Sequence, residues 1–292
     1  MQIRTVAVMT PGDMGHAIGR VLRAGGLRVI TCLRGRSART ATLAARAGID
    51  DVADDVTLVR EADLVLAILV PAQARALAER IAVAVRATGA GLLYADCNAI
   101  APRTSREIGD LLAAAGVGYV DAGIIGNPPV PGTPGPRVYA SGGAAPGLAQ
   151  LRDHGLDVRV VGPEIGQASG LKMCYASLTK GLTALATEAL TTGRVLGMDE
   201  ILRAELRESQ GALLNWIERA VPGMPPKAAR WVGEMQEIAA TFGAVGLPPQ
   251  MLEGAAALYQ MVSETELGRE TPEERQRGQT ADEVAALLAA AL

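Results

Sequence analysis

Short β-branched and aliphatic runs recur through the first 160 residues, at Thr5–Val8, Val29–Thr31, Leu64–Leu69, Leu92–Ala95, Val117–Val120, Arg137–Ala140 and Val158–Val161. Between them, apolar positions return at helical spacing over 13–24, 37–47, 72–87 and 103–115. Strands separated by amphipathic helices predict βαβ units and a parallel sheet. From about Gly166 the strand signal ends, and Ala, Leu, Glu and Met recur with helical period almost to Leu292. A long helix is predicted from Gln167 to about Thr192, with Gly193 as its stop, and Pro222, Pro225-Pro226 and Pro248-Pro249 punctuate later helices. The expected architecture is α/β: a doubly wound sheet over 1–165 and an all-α domain over 166–292, joined by that long helix.

With 292 residues, 49% of them hydrophobic, the chain has enough apolar side chains for two packed cores and is neither disordered nor fibrous. A net charge of −3 gives no positive field to attract nucleic acid or anionic lipid. The start, Met1-Gln2-Ile3-Arg4-Thr5, enters a strand-like run without the pattern of a signal peptide, and no segment has the roughly 18 unbroken apolar residues that span a bilayer. Cytoplasmic residence is expected. Cys32, Cys97 and Cys174 are far apart, and His16 and His154 are the only histidines. No metal site, disulfide framework or histidine-based triad is expected, and each cysteine reads as a small buried hydrophobe.

The first candidate chemistry lies just after the first strand, in Thr10-Pro11-Gly12-Asp13-Met14-Gly15-His16-Ala17-Ile18-Gly19. A strand-to-helix turn with glycines lets backbone approach a pyrophosphate and presents open helix N–H groups to it, as in the Rossmann fold. Gly12 and Gly15 fit the second and third glycines of that pattern, and Thr10 replaces the first. The second strand then ends in Cys32-Leu33-Arg34-Gly35-Arg36-Ser37 without the carboxylate that accepts hydrogen bonds from the adenosine ribose in NAD sites. Arg34, Arg36 and Ser37 are donors suited to a 2′-phosphate, so NADP (NADPH) is the expected cofactor.

The second candidate is Lys172, in the first turns of the long helix, with Tyr175, Ala176 and Thr179 at i+3, i+4 and i+7. Flanked by Leu171, Met173, Cys174 and Leu178, it reads as a lysine whose burial favours proton transfer. Lys180 is expected to lie apart from the reacting atoms.

Taken together, the Met14-Gly15 turn, Leu69-Val70-Pro71, Asp96-Cys97-Asn98-Ala99-Ile100-Ala101-Pro102, Asp121-Ala122-Gly123-Ile124-Ile125-Gly126 and the glycine-plus-lysine stretch around Lys172 resemble the β-hydroxyacid dehydrogenases related to 6-phosphogluconate dehydrogenase. That resemblance implies Lys172 as general acid/base, with Leu69, Val70, Pro71 and Asn98 beside the cofactor, and a homodimer through the helical domain. Asn98 is then available to a ribose hydroxyl or to the substrate. Where the family often has a serine and two glycines, this chain reads Ile125-Gly126-Asn127; where it often has an asparagine four residues after the lysine, this chain has Ala176. Asn127 and Tyr175 are the candidates for fixing a small-molecule substrate, against plainer readings as a loop cap and a core aromatic. The segment Arg230–Phe242 marks a branch with its own helical domain. The expected activity is hydride transfer between NADP and a carbonyl or hydroxyl carbon; the alternatives are an imine reductase and a noncatalytic NADP-binding sensor.

Overall fold

A computed structural model describes residues 2–271 and 275–292. Met1, and positions 272–274 within the stretch read as helical, lie outside the described residues. Two compact units divide after Met173.

The first unit contains, in order, β1 (Thr5–Met9), α1 (Asp13–Ala24), β2 (Arg28–Thr31), α2 (Ala38–Ala47), β3 (Asp50–Asp51), α3 (Asp55–Glu61), β4 (Leu64–Ala67), α4 (Ala74–Thr88), β5 (Leu93–Asp96), α5 (Pro102–Ala113), β6 (Gly118–Ile125), β7 (Arg137–Ser141), α6 (Ala145–Leu148) and β8 (Asp157–Gly162). Its sheet has the order β3-β2-β1-β4-β5-β6-β7-β8. The chain leaves β1 toward one edge and returns through β4 to the other side of it. The crevice beyond the C-terminal ends of β1 and β4 is therefore the switch point at which doubly wound sheets bind ligands.

Each predicted strand is present; β1, β4, β5 and β6 bury both faces, whereas the edge strand β8 buries Val158 and leaves Val160 and Val161 exposed. In β1, Val6 and Val8 pack into one core, and Ala7 and Met9 into the other. Such continuous apolar strands are what a sheet covered by helices on both sides requires. The prediction of a parallel sheet needs one correction: β7 runs antiparallel to β6, with Ile124 opposite Val138, and β8 is parallel to β7. The link between β6 and β7 is a Pro- and Gly-rich loop with no helix in it, whereas a parallel return needs a crossover, usually helical. Neither β3 nor α3 shows in the hydrophobic pattern. Two aspartates make no hydrophobic run, and α3 is seven residues long, started by Asp54 accepting from the Thr57 N–H.

A single helix, α7 (Gln167–Val195), begins in the first unit and continues into the second. The second unit adds α8 (Asp199–Ser209), α9 (Gly211–Ala220), α10 (Ala228–Ala244), α11 (Gln250–Glu264), α12 (Glu266–Arg269) and α13 (Ala281–Ala289); among the described residues it has no strand. The predicted stop at Gly193 is incorrect. Gly193 stays helical, and a Cβ there would lie 3.2 Å from Leu202 Cδ2, so its role is close packing. The terminator is Gly197, at φ +69°, where the Met198 N–H donates back to the Gly193 carbonyl at 2.7 Å, the Schellman ending that favours glycine.

Inside this second unit, Lys180 is buried and ion-paired with Glu234, its ammonium 5.3 Å from the centre of the Trp231 ring. Tyr259 donates to the Lys180 carbonyl at 2.5 Å and meets Trp231 edge-on. No helix among the described residues is long and apolar enough to cross a membrane.

Candidate functional site

The glycine turn sits at the switch point, and its two glycines have different jobs. A Cβ on Gly15 would lie 2.1 Å from the Thr10 carbonyl oxygen, so only glycine lets α1 pack this close to the end of β1. A Cβ on Gly12 would meet nothing within 4 Å, so this glycine leaves open space in front of α1. No side chain caps the N-terminus of α1, which leaves the partial positive charge of its first turn available to an anion. Thr10 donates its N–H to the Ile68 carbonyl at 3.0 Å, tying β1 to the end of β4. Its buried Oγ1 has no hydrogen-bond partner. Pro11 is buried, and Met14 packs against the core. Asp13 forms an ion pair with Arg39, bringing the first turns of α1 and α2 together, a contact not legible in the sequence.

Arg34 and Arg36 follow the end of β2. Arg34 is exposed and lines a cavity of about 650 Å³ together with Cys32, Asp54, Val56, Arg80 and Ala84. The Thr57 backbone N–H holds the Asp54 carboxyl below the ordinary carboxylate range, and the Arg34 guanidinium adds to the effect. Arg36 donates to Gln73 Oε1 at 3.4 Å. Ser37 caps α2, its hydroxyl accepting from the Thr40 N–H at 3.2 Å. Although β2 ends without a carboxylate, β3 supplies one: Asp51 accepts from the Leu33 N–H at 2.9 Å.

At the ends of β4 and β5, buried Asn98 accepts from the Leu69 N–H through Oδ1 at 2.6 Å, and its own N–H donates to Asp96 at 3.0 Å. Asn98 Nδ2 is buried with no partner. A buried amide donor left unmade costs about 1–3 kcal/mol, an arrangement that suits a ligand oxygen. Val70 is exposed, and Pro71 opens a one-turn 3-10 helix before α4.

Lys172 is half-buried in the first unit, and its Nζ donates to the Ile124 carbonyl near the C-terminal end of β6. The expected apolar surround is only partly present. Met173 is buried, but Leu171, Cys174 and Leu178 are exposed, because helical neighbours in sequence point about 100° apart. Cys174 thereby departs from the reading of all three cysteines as buried; Cys32 and Cys97 conform to it. Burial and the nearby Asp96 and Asp121 carboxylates push the Cys97 thiol far up, which suits an inert packing residue. Asn127 is exposed in the loop after β6, with no cap bond, and Tyr175 is 44% exposed, so it is not a core aromatic. Thr10, Gly12, Asp13, Leu69, Asn98 and Lys172 all belong to the first unit, and Leu69 and Asn98 are bonded to one another, while Tyr175 belongs to the second unit. No group of three His, Cys, Asp or Glu that could hold a metal occurs among the described residues.

The doubly wound sheet, with the uncapped first turn of α1 and the open space before Gly12 at its switch point, is the fold of dinucleotide-binding oxidoreductases. Residues 5–145 match the NAD binding domain of 6-phosphogluconate dehydrogenase. Residues 194–262 match a domain of unknown function, DUF1932. The chain is 27% identical to a 28.5 kDa protein of Methanothermus fervidus over 82% of its own length and 91% of that protein's. It is 32% identical to a 3-hydroxyisobutyrate dehydrogenase of Pseudomonas aeruginosa over 49% of each chain. A solved structure of a conserved protein, described as similar to 3-hydroxyacid dehydrogenases, superposes with a TM-score of 0.66 at 28% identity, over 90% of this chain and 98% of that one.

Proposed function

We propose that this protein is an NADP-dependent dehydrogenase or reductase acting on a small carbonyl or hydroxyl compound, with Lys172 as general acid/base. The observation that carries the reading is the Lys172 ammonium held at the end of β6, in the same unit as the glycine turn and Asn98. Bound at the switch point, the coenzyme supplies or accepts the hydride. The first turn of α1, Thr10, Pro11, Gly12, Asp13 and Met14 form the pyrophosphate cradle. Arg34 and Arg36, with Ser37 between its cap duties, face the adenosine phosphate. Leu69, Val70, Pro71 and Asn98 line the nicotinamide side, Asn98 Nδ2 being the free donor there. In reduction Lys172 gives a proton to the carbonyl oxygen as the carbon gains hydride; in oxidation it takes that proton back. Asn127 and Tyr175 are the residues proposed to orient the substrate.

The testing experiment measures NADPH and NADH oxidation against 3-oxoacids, aldehydes and cyclic imines. Turnover of a carbonyl compound with NADPH preferred is the expected result. Turnover of imines alone would reassign the protein as an imine reductase, and tight NADPH binding with no turnover as a noncatalytic sensor. Arg34→Ala is expected to raise the NADPH Kd roughly tenfold or more, since a charge-assisted phosphate contact is lost, and to leave the NADH Kd unchanged. Equal losses for both coenzymes would refute the assignment to NADP.

The same proposal includes a homodimer through the helical domain. Leu178 and Leu185 on α7 and Met251 on α11 are strongly exposed around a cavity of about 440 Å³ in the second unit, a surface that a second copy would cover. Leu185→Glu is expected to convert a dimer into a monomer by light scattering on a sizing column; a monomeric parent protein would end this part of the proposal.

A further inference from the structure

Asp121 is a buried carboxylate with no part in the chemistry described above. It lies on β6, three residues before the carbonyl that holds Lys172. Its Oδ2 accepts from the backbone N–H groups of Gly166 at 2.9 Å, Ala168 at 3.1 Å and Ser169 at 3.1 Å, and from the hydroxyls of Ser141 at 2.9 Å and Ser169 at 3.2 Å. Its Oδ1 accepts from the Ser105 hydroxyl at 2.9 Å. Three of these donors are backbone N–H groups at the entry and first turn of α7, the helix that carries Lys172. An anion placed there is favoured twice, by direct hydrogen bonds and by the positive end of a 29-residue helix. The cap is not local, since it comes from 45 to 48 positions earlier in the chain.

The strand holds the helix at two further points. A Cβ on Gly123 would lie 3.0 Å from Lys172 Cβ and 3.2 Å from the Ala168 carbonyl oxygen. One residue on, the Ile124 carbonyl accepts from Lys172 Nζ. Asp121, Gly123 and Ile124 therefore fix the entry of α7, its distance from β6 and the end of the lysine side chain, all within one stretch of strand.

We infer that Asp121 is the positioning residue for Lys172, and that Gly123 sets the distance at which it works. The inference rests on the reading of Lys172 as acid/base for its consequence in turnover, but not for its geometry. Two readouts keep the two apart. The first is the rate at which an amine-acylating reagent labels Lys172, followed by peptide mass spectrometry in the full-length protein. The second is kcat set against KM and coenzyme Kd.

Asp121→Asn places an amide where an acceptor faces several donors, and Gly123→Ala pushes the helix back while leaving the carboxylate in place. Both are expected to change labelling at Lys172 by at least about threefold as the helix start loosens, with Lys180 and Lys227 labelled as before. Both are expected to lower kcat roughly 10²-fold, the effect of a displacement near 1 Å, with coenzyme Kd within about twofold. Should Asp121→Asn fail to fold, Gly123→Ala carries the test alone. Unchanged Lys172 labelling in Gly123→Ala would overturn the positioning role, whatever happens to turnover. Altered labelling with undiminished kcat would support the geometry and instead overturn the catalytic reading of Lys172.

Discussion

Lys172→Ala is expected to lower kcat by about 10²–10⁴-fold, the usual contribution of a positioned acid/base, while NADPH affinity stays within about twofold. The two quantities separate because the residues proposed to hold the coenzyme, at the ends of β1, β2, β4 and β5, do not include this side chain. The lysine makes its named contact to the Ile124 carbonyl on β6. Lys172→Arg sharpens the test. An arginine keeps the positive charge and the long stem but is not deprotonated in proteins, so it can hold a substrate oxygen and still cannot serve as base. Loss of turnover in both variants, with coenzyme titrations superimposable on the parent, is the expected pattern. Retention of parent turnover in Lys172→Ala would remove the residue from the chemistry.

Glu234→Leu is expected to destabilise the second unit by about 3–5 kcal/mol, because removing one partner of a buried ion pair strands the other. Lys180 and Glu234 are both buried, and Trp231 covers the ammonium on one side. With the carboxylate gone, the ammonium keeps its contact with the Trp231 ring, an attraction worth about 2 kcal/mol when desolvated. The double variant Lys180→Met/Glu234→Leu removes both charges and fills the space with apolar atoms, so it is expected to recover most of the loss. Urea unfolding followed by tryptophan fluorescence measures both. A single-variant loss below about 1 kcal/mol would mean that the pair behaves like a solvated surface bridge. Arg230, four residues before Glu234 and 3.3 Å from it, adds a second cation to the same carboxylate.

The residues differ in how openly they announce these roles. Gly12 and Gly15 follow a spacing that stands after an apolar run and before an amphipathic helix, so their meaning is local. Lys172 is legible by its sequence neighbourhood, yet its apolar flank is only partly a buried surround. Sequence neighbours on a helix fan around its axis, and Leu171 and Leu178 face solvent. Ser37 reads in the sequence as a phosphate donor, and the structure shows its hydroxyl capping α2. Nothing near Lys180 in sequence signals a carboxylate 54 residues on. Asp121 appeared only as one letter of a resembling segment.

What the sequence alone determined is whatever depends on periodicity and on short-range chemistry: the seven apolar strand runs, the amphipathic helices between them, the glycine turn, the long helix and the helical second half. Each of these is set by side chains within a few positions of one another, so the pattern and its physical cause lie in the same stretch. Tertiary structure alone decided the reversal of β7, the extension of α7 past Gly193, the carboxylate that β3 brings to the end of β2, the cap that Asp121 places on α7, and the pairing of Lys180 with Glu234. Those outcomes join residues tens of positions apart. A donor far along the chain finds its acceptor only once packing has closed the loop between them, so no local pattern records it.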